Sequence, residues 1–364
     1  MDGTIRSVTA FTHPYDPWDH FQAYYREGLR RAAASRGITF AAVPVTRAPR
    51  VLRAAKRVRD QYVVRMPGTT AVSLFDRAAR VVEGRPLRTP SSLFHDAVGQ
   101  YLVETVHGVV RRVCIDAADY PTLPCEDLTA WSDVYFKANL WPSQTYPTNV
   151  LPIVNGDPTI LGRLHMLRTL RSAEKKCDLC FIVRIWGRDM YMLEHNLRLL
   201  EAVKRARCSM TILAYLVAGD IEGNARRLGR AGIPSTTRWV PAKKLWESTA
   251  DSRINIIRLG VHRCTPWRVA GALAIGACLA LDQEPLATWP TPLAEHTNFL
   301  NLDAPTLESP VADTERYSEI PAKIEEWLSD RKMLERIMDA NGRYFDQFVD
   351  PERIGEQILA TAVA

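Results

Sequence analysis

The polar loop 260–265, between two apolar runs, has the residue types most suited to binding an anion. It contains His262 and Arg263, and Pro266 directly after it predicts the start of a helix, because proline is favoured in a first helical turn. Free backbone N–H groups and the positive end of the helix dipole attract anions at such a position. Arg263 and Arg268 add guanidinium groups whose geometry matches phosphate oxygens. The loop therefore predicts a phosphate-binding site, although an ordinary strand-to-helix connection with solvated arginines has the same pattern.

The elements that must hold this loop alternate between strand and helix along the chain. Prolines concentrated in 141–152 predict a linker between two halves. Strands are predicted in the first half at 5–11, 38–45, 112–115 and 133–137, and in the second at 179–183, 210–216, 236–240, 254–259 and 277–281. Helices are predicted at 93–107 and 242–250. Strands alternating with helices in two halves predict an α/β protein with two parallel-sheet domains facing each other.

Length and composition agree with two soluble domains. The chain has 364 residues, 46% of them hydrophobic, and a net charge of +6, and one core seldom organises a chain of this length. No apolar run approaches the roughly 18 residues that a membrane-spanning helix needs. The first residues hold no apolar segment long enough for a secretory signal. A cytoplasmic location is therefore expected.

Cysteines and basic residues are the remaining candidates for binding metal or nucleic acid. The seven cysteines are odd in number and scattered, which favours reduced thiols. Cys177 and Cys180 form one CxxC without a second pair or clustered histidines, so packing is favoured over a zinc site. The arginines of 47–65 recur at helical spacing, which favours a solvated helix face over nucleic-acid binding. Neither a metal nor a nucleic-acid partner is expected.

Three common sequence fingerprints are absent. No GxGxxG follows the first strand, and no GxxxxGK[ST] is present, so the usual dinucleotide and ATPase phosphate loops are not indicated. The chain also lacks a GxSxG nucleophile elbow. These absences count for more than any single weak motif match.

The segment 252–282 resembles the C-terminal domain of exostosin-like and spore-coat-type glycosyltransferases. The shared features are a short strand, Gly260, Arg268 at a helix start, the small-residue run GALAIG and the following strand ACLAL. The run FIVRIWG at 181–187 and the helix after it resemble the first strand, loop and helix of that domain. The likeness covers roughly residues 110–364. These families often have a Glu three residues after the arginine, where it holds the ribose hydroxyls, and this chain has Gly271 there.

The resemblance implies the GT-B architecture of nucleotide-sugar glycosyltransferases. In that architecture two Rossmann-like domains face each other across a cleft, and C-terminal helices cross back to the first domain. Residues 1–155 are then expected to form an acceptor-binding domain, and residues 156–330 the nucleotide-sugar-binding domain. Residues 331–364 are expected to form the helices that pack back toward the first domain.

The departing nucleoside diphosphate needs its charge neutralised. Without a metal motif, arginines and helix N-termini are expected to supply the positive field. Three loops of the second domain are expected to bind the donor, through Arg184, Trp186, Gly187, Arg188, Trp239, Val240, Gly260, His262, Arg263, Thr265 and Arg268. Trp239 lies where this architecture usually binds the base, so it is expected to stack there, with a core tryptophan as the alternative.

An inverting transfer also needs a base for the proton of the acceptor hydroxyl. His13 is the leading candidate, because it follows the first strand and an imidazole titrates near neutral pH. Asp16 is a second candidate, although its position before Pro17 also predicts a helix cap. Asp116, at the end of another strand, is a third candidate for the base or for holding acceptor hydroxyls.

The resemblance, together with the candidate anion-binding residues, implies a metal-independent glycosyltransferase. The donor is expected to be a nucleotide sugar, used as co-substrate without a further cofactor, and the acceptor a small molecule resembling a natural product. Two alternatives are a sugar-nucleotide epimerase of the same shape, and a non-catalytic protein that binds a nucleotide or sugar. The sequence leaves open the donor base, the sugar, the stereochemical outcome and the number of subunits.

Overall fold

The computed structural model describes residues 4–12, 19–44, 97–186, 190–217, 219–305 and 314–364. The chain divides into two compact units. Unit 1 comprises Met1–Pro158, Ala287–Pro290 and Val349–Ala364, and unit 2 comprises Thr159–Leu286 and Thr291–Phe348.

Strands and helices alternate through most of the described chain. The strands are β1 Ile5–Thr12, β2 Thr39–Pro44, β3 Val98–Thr105, β4 Val110–Asp116, β5 Val134–Lys137, β6 Val150–Pro152, β7 Cys177–Ile185, β8 Met210–Leu216, β9 Ser235–Thr236, β10 Ser252–Ile257, β11 Leu279–Leu281 and β12 Phe299–Asn301. The α-helices are α1 Asp19–Ser35, α2 Glu126–Trp131, α3 Leu164–Thr169, α4 Met190–Lys204, α5 Ile221–Arg230, α6 Ala242–Ala250, α7 Arg268–Ala274, α8 Thr314–Ser329, α9 Arg331–Tyr344 and α10 Pro351–Val363.

The described strands of unit 1 form a mixed sheet in the order β2-β1-β3-β4-β5-β6. Strand β3 runs antiparallel to β1 and β4, and the other neighbouring pairs are parallel. The helix predicted at 93–107 is wrong, because Val98–Thr105 is the central strand β3. Its first four residues are all buried, so the two-residue alternation that indicates a strand is missing from the sequence.

Helices α1 and α10 pack together within unit 1 at two glycines. A Cβ atom on Gly28 would lie 2.1 Å from the carbonyl oxygen of Pro351, and one on Gly355 would lie 2.1 Å from the carbonyl oxygen of Gly28. Only residues without a side chain allow the helix backbones this close. The last helix of the chain is therefore part of unit 1, whereas α9 belongs to unit 2.

The described strands of unit 2 form a parallel sheet in the order β12-β11-β10-β7-β8-β9. If β7 is counted as the first strand and β12 as the sixth, the order across the sheet is 6-5-4-1-2-3. This is the strand order of the dinucleotide-binding Rossmann fold. The predicted bounds of β8 and α6 are those observed. One face of β7 packs Phe181, Val183 and Ile185 into the core, and side-chain alternation places Ile182 and Arg184 on the other face.

The structure also bears on membrane spanning and on the cysteines. No helix in the described ranges combines the length and apolar character of a membrane span. None of the seven cysteines, all of which lie among the described residues, forms a disulfide. Cys177 and Cys180 lie three residues apart in β7, where alternating side chains point to opposite faces. Burial raises the pKa of the Cys180 thiol to about 12.

Candidate functional site

The carboxyl ends of β7 and β10 form the candidate site in unit 2. These strands are neighbours, but β7 continues through α4 to β8 on one side and β10 continues through α7 to β11 on the other. Where connections diverge in this way, α/β sheets have a crevice that binds ligands. Arg184 is the next-to-last residue of β7, and the loop 258–267 follows β10. The fold thus brings two of the three predicted donor loops to adjacent strand ends.

Arg184 lies in a cluster of aromatic rings at this edge of the sheet. Its guanidinium carbon is 4.2 Å from the ring centroid of Trp186 and 5.8 Å from that of Tyr215. Trp239 meets Tyr215 edge to face, with ring centroids 5.9 Å apart. Cation–π contacts of this kind hold a guanidinium plane in place. Three predicted donor residues, two at the end of β7 and one before α6, therefore belong to one cluster.

The guanidinium of Arg184 keeps unused hydrogen-bonding capacity. Its Nε and Nη2 atoms are buried and have no hydrogen-bond partner among the described residues. Burial lowers the pKa of Arg184, since desolvation penalises the charged form, yet an arginine remains protonated in proteins. A buried cation with unsatisfied donors is suited to an anion that brings two oxygen atoms.

Sequence reasoning missed Tyr215, which joins Arg184 to Trp239. The parallel register of β7 and β8 pairs Arg184 with Tyr215 directly. Predicted strand bounds alone do not give that register. An aromatic residue next to the last position of β8 is the only sequence signal that points to it.

The loop after β10 has an unusual backbone. His262 and Arg263 both adopt left-handed φ angles, of 59° and 51°, a conformation that non-glycine residues rarely adopt. The N–H of Gly260 donates to the carbonyl oxygen of Cys264 at 2.9 Å, which closes the loop. A Cβ atom on Gly260 would lie 2.2 Å from Sγ of the buried Cys264, so a side chain at position 260 would collide with this sulfur. In this loop the side chain of His262 is exposed and that of Thr265 is buried.

The two predicted phosphate-binding arginines near this loop contact backbone carbonyl groups. Arg263 Nε donates to the carbonyl oxygen of Glu284 at 2.9 Å. Arg268, at the start of α7, donates through Nη1 to the carbonyl oxygen of Ile182 in β7. Both side chains therefore tie the loop and helix to neighbouring parts of unit 2.

A carboxylate that the sequence did not single out supports the start of the loop. Asp282 directly follows β11, and its Oδ1 accepts a hydrogen bond from the N–H of Leu259 at 2.7 Å. Leu286 N–H donates to the carbonyl oxygen of Arg263 at 3.3 Å. The loop after β10 is thus held against the segment after β11 at several points.

The third predicted loop precedes α6. Trp239 and Val240 are both half-buried, and Val240 lies directly before Pro241, the N-cap of α6. Trp239 takes part in the aromatic cluster, and its partial exposure differs from that of a buried core tryptophan.

Among the three predicted catalytic residues, Asp116 lies in the part of the chain that the structure describes. Its side chain is fully buried in unit 1. Its Oδ2 lies 2.7 Å from Lys137 Nζ and accepts from Tyr135 Oη at 3.2 Å, and its Oδ1 accepts from the N–H of Ala118 at 2.8 Å. Burial, together with this carboxylate, raises the pKa of Tyr135. Four other predicted residues lie outside the described residues: His13, Asp16, Gly187 and Arg188.

Two Rossmann-like units in one chain define the GT-B fold, as the sequence resemblance implied. No protein-family model matches the chain, and no curated protein sequence matches it. The crystal structure of TarM is similar over 100% of both chains, with a TM-score of 0.50 and 8% sequence identity. The apo form of the lipopolysaccharide outer core galactosyltransferase WaaB is similar over 98% of this chain and 99% of its own, with a TM-score of 0.46 and 9% identity. Anabaena Alr3699/HepE in complex with UDP-glucose is similar over 98% and 99%, with a TM-score of 0.45 and 9% identity.

Proposed function

We propose that the protein is a glycosyltransferase that moves a sugar from a nucleotide-sugar donor to a small-molecule acceptor. The observation that supports this most is the guanidinium of Arg184, which has two unpartnered donor atoms at the strand ends where the GT-B fold has its Rossmann crevice. The likeness of segment 252–282 to exostosin-like and spore-coat-type transferases supports the same function. We propose that unit 2 binds the donor and that unit 1 binds the acceptor.

Arg184 is the residue we assign to the diphosphate of the donor. Its Nε and Nη2 atoms can donate to two oxygens of one phosphate, which gives both charge and orientation. The rings of Trp186 and Tyr215 keep the guanidinium plane fixed, so little conformational entropy is lost when the anion binds. Trp239, beside Tyr215, is assigned to stacking on the base.

In the proposed reaction, positive groups of the protein stabilise the leaving diphosphate without a metal ion. Negative charge grows on the diphosphate as the bond to the sugar breaks, and a fixed guanidinium lowers the energy of that state. Arg263 and Arg268 hold the loop and helix start through backbone carbonyls, and His262 is an exposed side chain on the same loop. His13 and Asp16 remain the proposed bases, because the carboxylate of Asp116 is already bound by Lys137.

Binding of nucleoside diphosphates tests the donor assignment. We expect UDP, GDP, ADP or another member of a nucleoside diphosphate panel to raise the unfolding temperature, since a ligand of the folded state stabilises it. Arg184→Ala should remove that shift. Arg207→Ala is the control, because Arg207 is an exposed residue paired with Glu325. No shift with any nucleoside diphosphate would contradict the proposal.

A non-catalytic binding protein is the second candidate, and Gly271 is the observation that favours it. Gly271 is buried in α7, at the position where related transferases often have the ribose-binding Glu. Mass spectrometry of incubations with matched nucleotide sugar and acceptor mixtures separates the two functions. A glycosylated product supports the transferase, whereas nucleotide binding without any product supports the binding protein.

A further inference from the structure

A buried histidine lies behind the loop that follows β10. His195, in α4, is fully buried. Its Nδ1 lies 2.7 Å from the hydroxyl of Tyr317 in α8, and its Nε2 lies 2.9 Å from Oδ2 of Asp282. An ionised carboxylate only accepts hydrogen bonds, so Nε2 donates to Asp282. The ring thus joins two helices to the end of β11.

Asp282 passes this connection on to the loop. Its second oxygen, Oδ1, accepts from the N–H of Leu259 at 2.7 Å, and Leu259 directly precedes Gly260. A rotation of this carboxylate about its Cβ–Cγ bond would break the contact with Leu259. The hydrogen bond from His195 opposes that rotation, because it fixes the other oxygen.

The loop needs such support because its backbone is in a sparsely populated conformation. The left-handed φ angles of His262 and Arg263 are unfavourable for non-glycine residues. Contacts with Asp282, Glu284 and Leu286 hold this conformation against the segment after β11. Asp282 is also hydrogen-bonded to His195, a buried residue of α4.

We propose that His195 is a positioning residue for nucleotide-sugar binding. It orients Asp282, and Asp282 sets the backbone of the loop 259–263 that faces the donor. This inference rests on the proposed function for its binding consequence. The structural part, control of the loop by the imidazole, can be measured without any ligand.

The experiment compares two amide replacements of His195. The side-chain amide of glutamine reaches the position of Nε2, whereas that of asparagine reaches the position of Nδ1. His195→Gln should therefore keep the hydrogen bond to Asp282, and His195→Asn should lose it. We expect amide hydrogen exchange of a peptide covering 258–265 to be on the order of tenfold faster in His195→Asn than in wild type. In His195→Gln it should stay within about twofold of wild type.

The binding arm uses the nucleoside diphosphate that stabilises the wild-type protein. His195→Asn should weaken its binding by about tenfold, roughly the loss of one hydrogen bond to a charged group, and His195→Gln should restore most of it. Leu228→Ala is the control for general destabilisation, because Leu228 is a core residue of α5. It should lower the unfolding temperature without faster exchange in 258–265.

Equal exchange in both His195 variants, or unchanged exchange in His195→Asn, would overturn the proposal. If His195→Asn does not fold, Tyr317→Phe tests the same series of hydrogen bonds. This substitution removes the hydroxyl group beside His195 Nδ1 and keeps the aromatic ring of residue 317. A smaller increase of exchange in the same peptide is expected, and no increase contradicts the proposal. If wild type binds no nucleoside diphosphate, the proposed function fails, and the exchange arm still decides whether His195 positions the loop.

Discussion

The ammonium group of Lys137 lies 2.7 Å from the carboxylate of Asp116, and neither side chain is exposed to solvent. The two residues are paired in register at the carboxyl ends of β4 and β5. Tyr135 and the N–H of Ala118 complete the hydrogen bonds of the carboxylate. A buried ion pair with its remaining lone pairs satisfied is stable only as a unit, because either charge alone is poorly tolerated inside a protein.

Lys137→Met should therefore destabilise the protein strongly. The substitution leaves Asp116 buried without its counter-charge, and breaking such a pair from one side costs about 3–5 kcal/mol. Urea unfolding followed by circular dichroism measures the loss. Arg112→Met is the matched control, since Arg112 pairs with Asp133 at a partly exposed position and exposed pairs contribute little. If both variants lose the same free energy of unfolding, burial is not the reason why the Asp116–Lys137 pair contributes to stability.

Gly260→Ala should disrupt the loop after β10 and weaken binding of the nucleoside diphosphate. The added Cβ would lie 2.2 Å from Cys264 Sγ, well inside any allowed contact. The double variant Gly260→Ala with Cys264→Ala should recover binding, because it removes the sulfur that the methyl group meets. Calorimetric titration of wild type and both variants provides the comparison.

Gly229→Ala serves as the control for this substitution. A Cβ there meets no atom within 4 Å, and alanine is the better helix former in α5. This variant should bind as wild type does and have equal or slightly higher stability. If the double variant stays as weak as Gly260→Ala, the steric explanation is wrong.

Glu27 should contribute to stability in a pH-dependent way. Hydrogen bonds from Arg30 and Arg31 lower the pKa of Glu27 from 4.5 to about 2, with that from Arg30 the larger cause. A carboxyl group whose pKa is lower in the folded state stabilises the fold fully above its unfolded pKa. That contribution is lost as the pH falls from about 4.5 toward 2.

Urea unfolding between about pH 3 and pH 6 tests this contribution. The difference in unfolding free energy between wild type and Glu27→Gln should be largest at the upper end and shrink as the pH falls. Arg30→Gln should reproduce part of the effect, because the hydrogen bond from Arg30 lowers the pKa of Glu27 more than the one from Arg31 does. A difference that stays constant over this range would contradict the assigned pKa.

The local signals of the sequence were sufficient for much of unit 2. Met210–Leu216 and Ala242–Ala250 have the predicted bounds, because an apolar run and a proline at a helix start act over a few residues. Strand β3 was missed for the opposite reason. Its burial on both faces comes from neighbours far along the chain, which no local pattern records.

The sequence by itself determined the alternation of strands and helices in two halves and the chain segments that carry Arg184, Trp239 and Arg263, because spacing and end signals act within short windows. The GT-B organisation was implied by the resemblance of segment 252–282 to known glycosyltransferases. Only the tertiary structure decided which side chains meet. Strand register pairs Arg184 with Tyr215, and packing of helix against sheet joins His195 to Asp282, 87 positions away. Such contacts depend on how separate elements fit together, and that fit is a property of the whole folded chain.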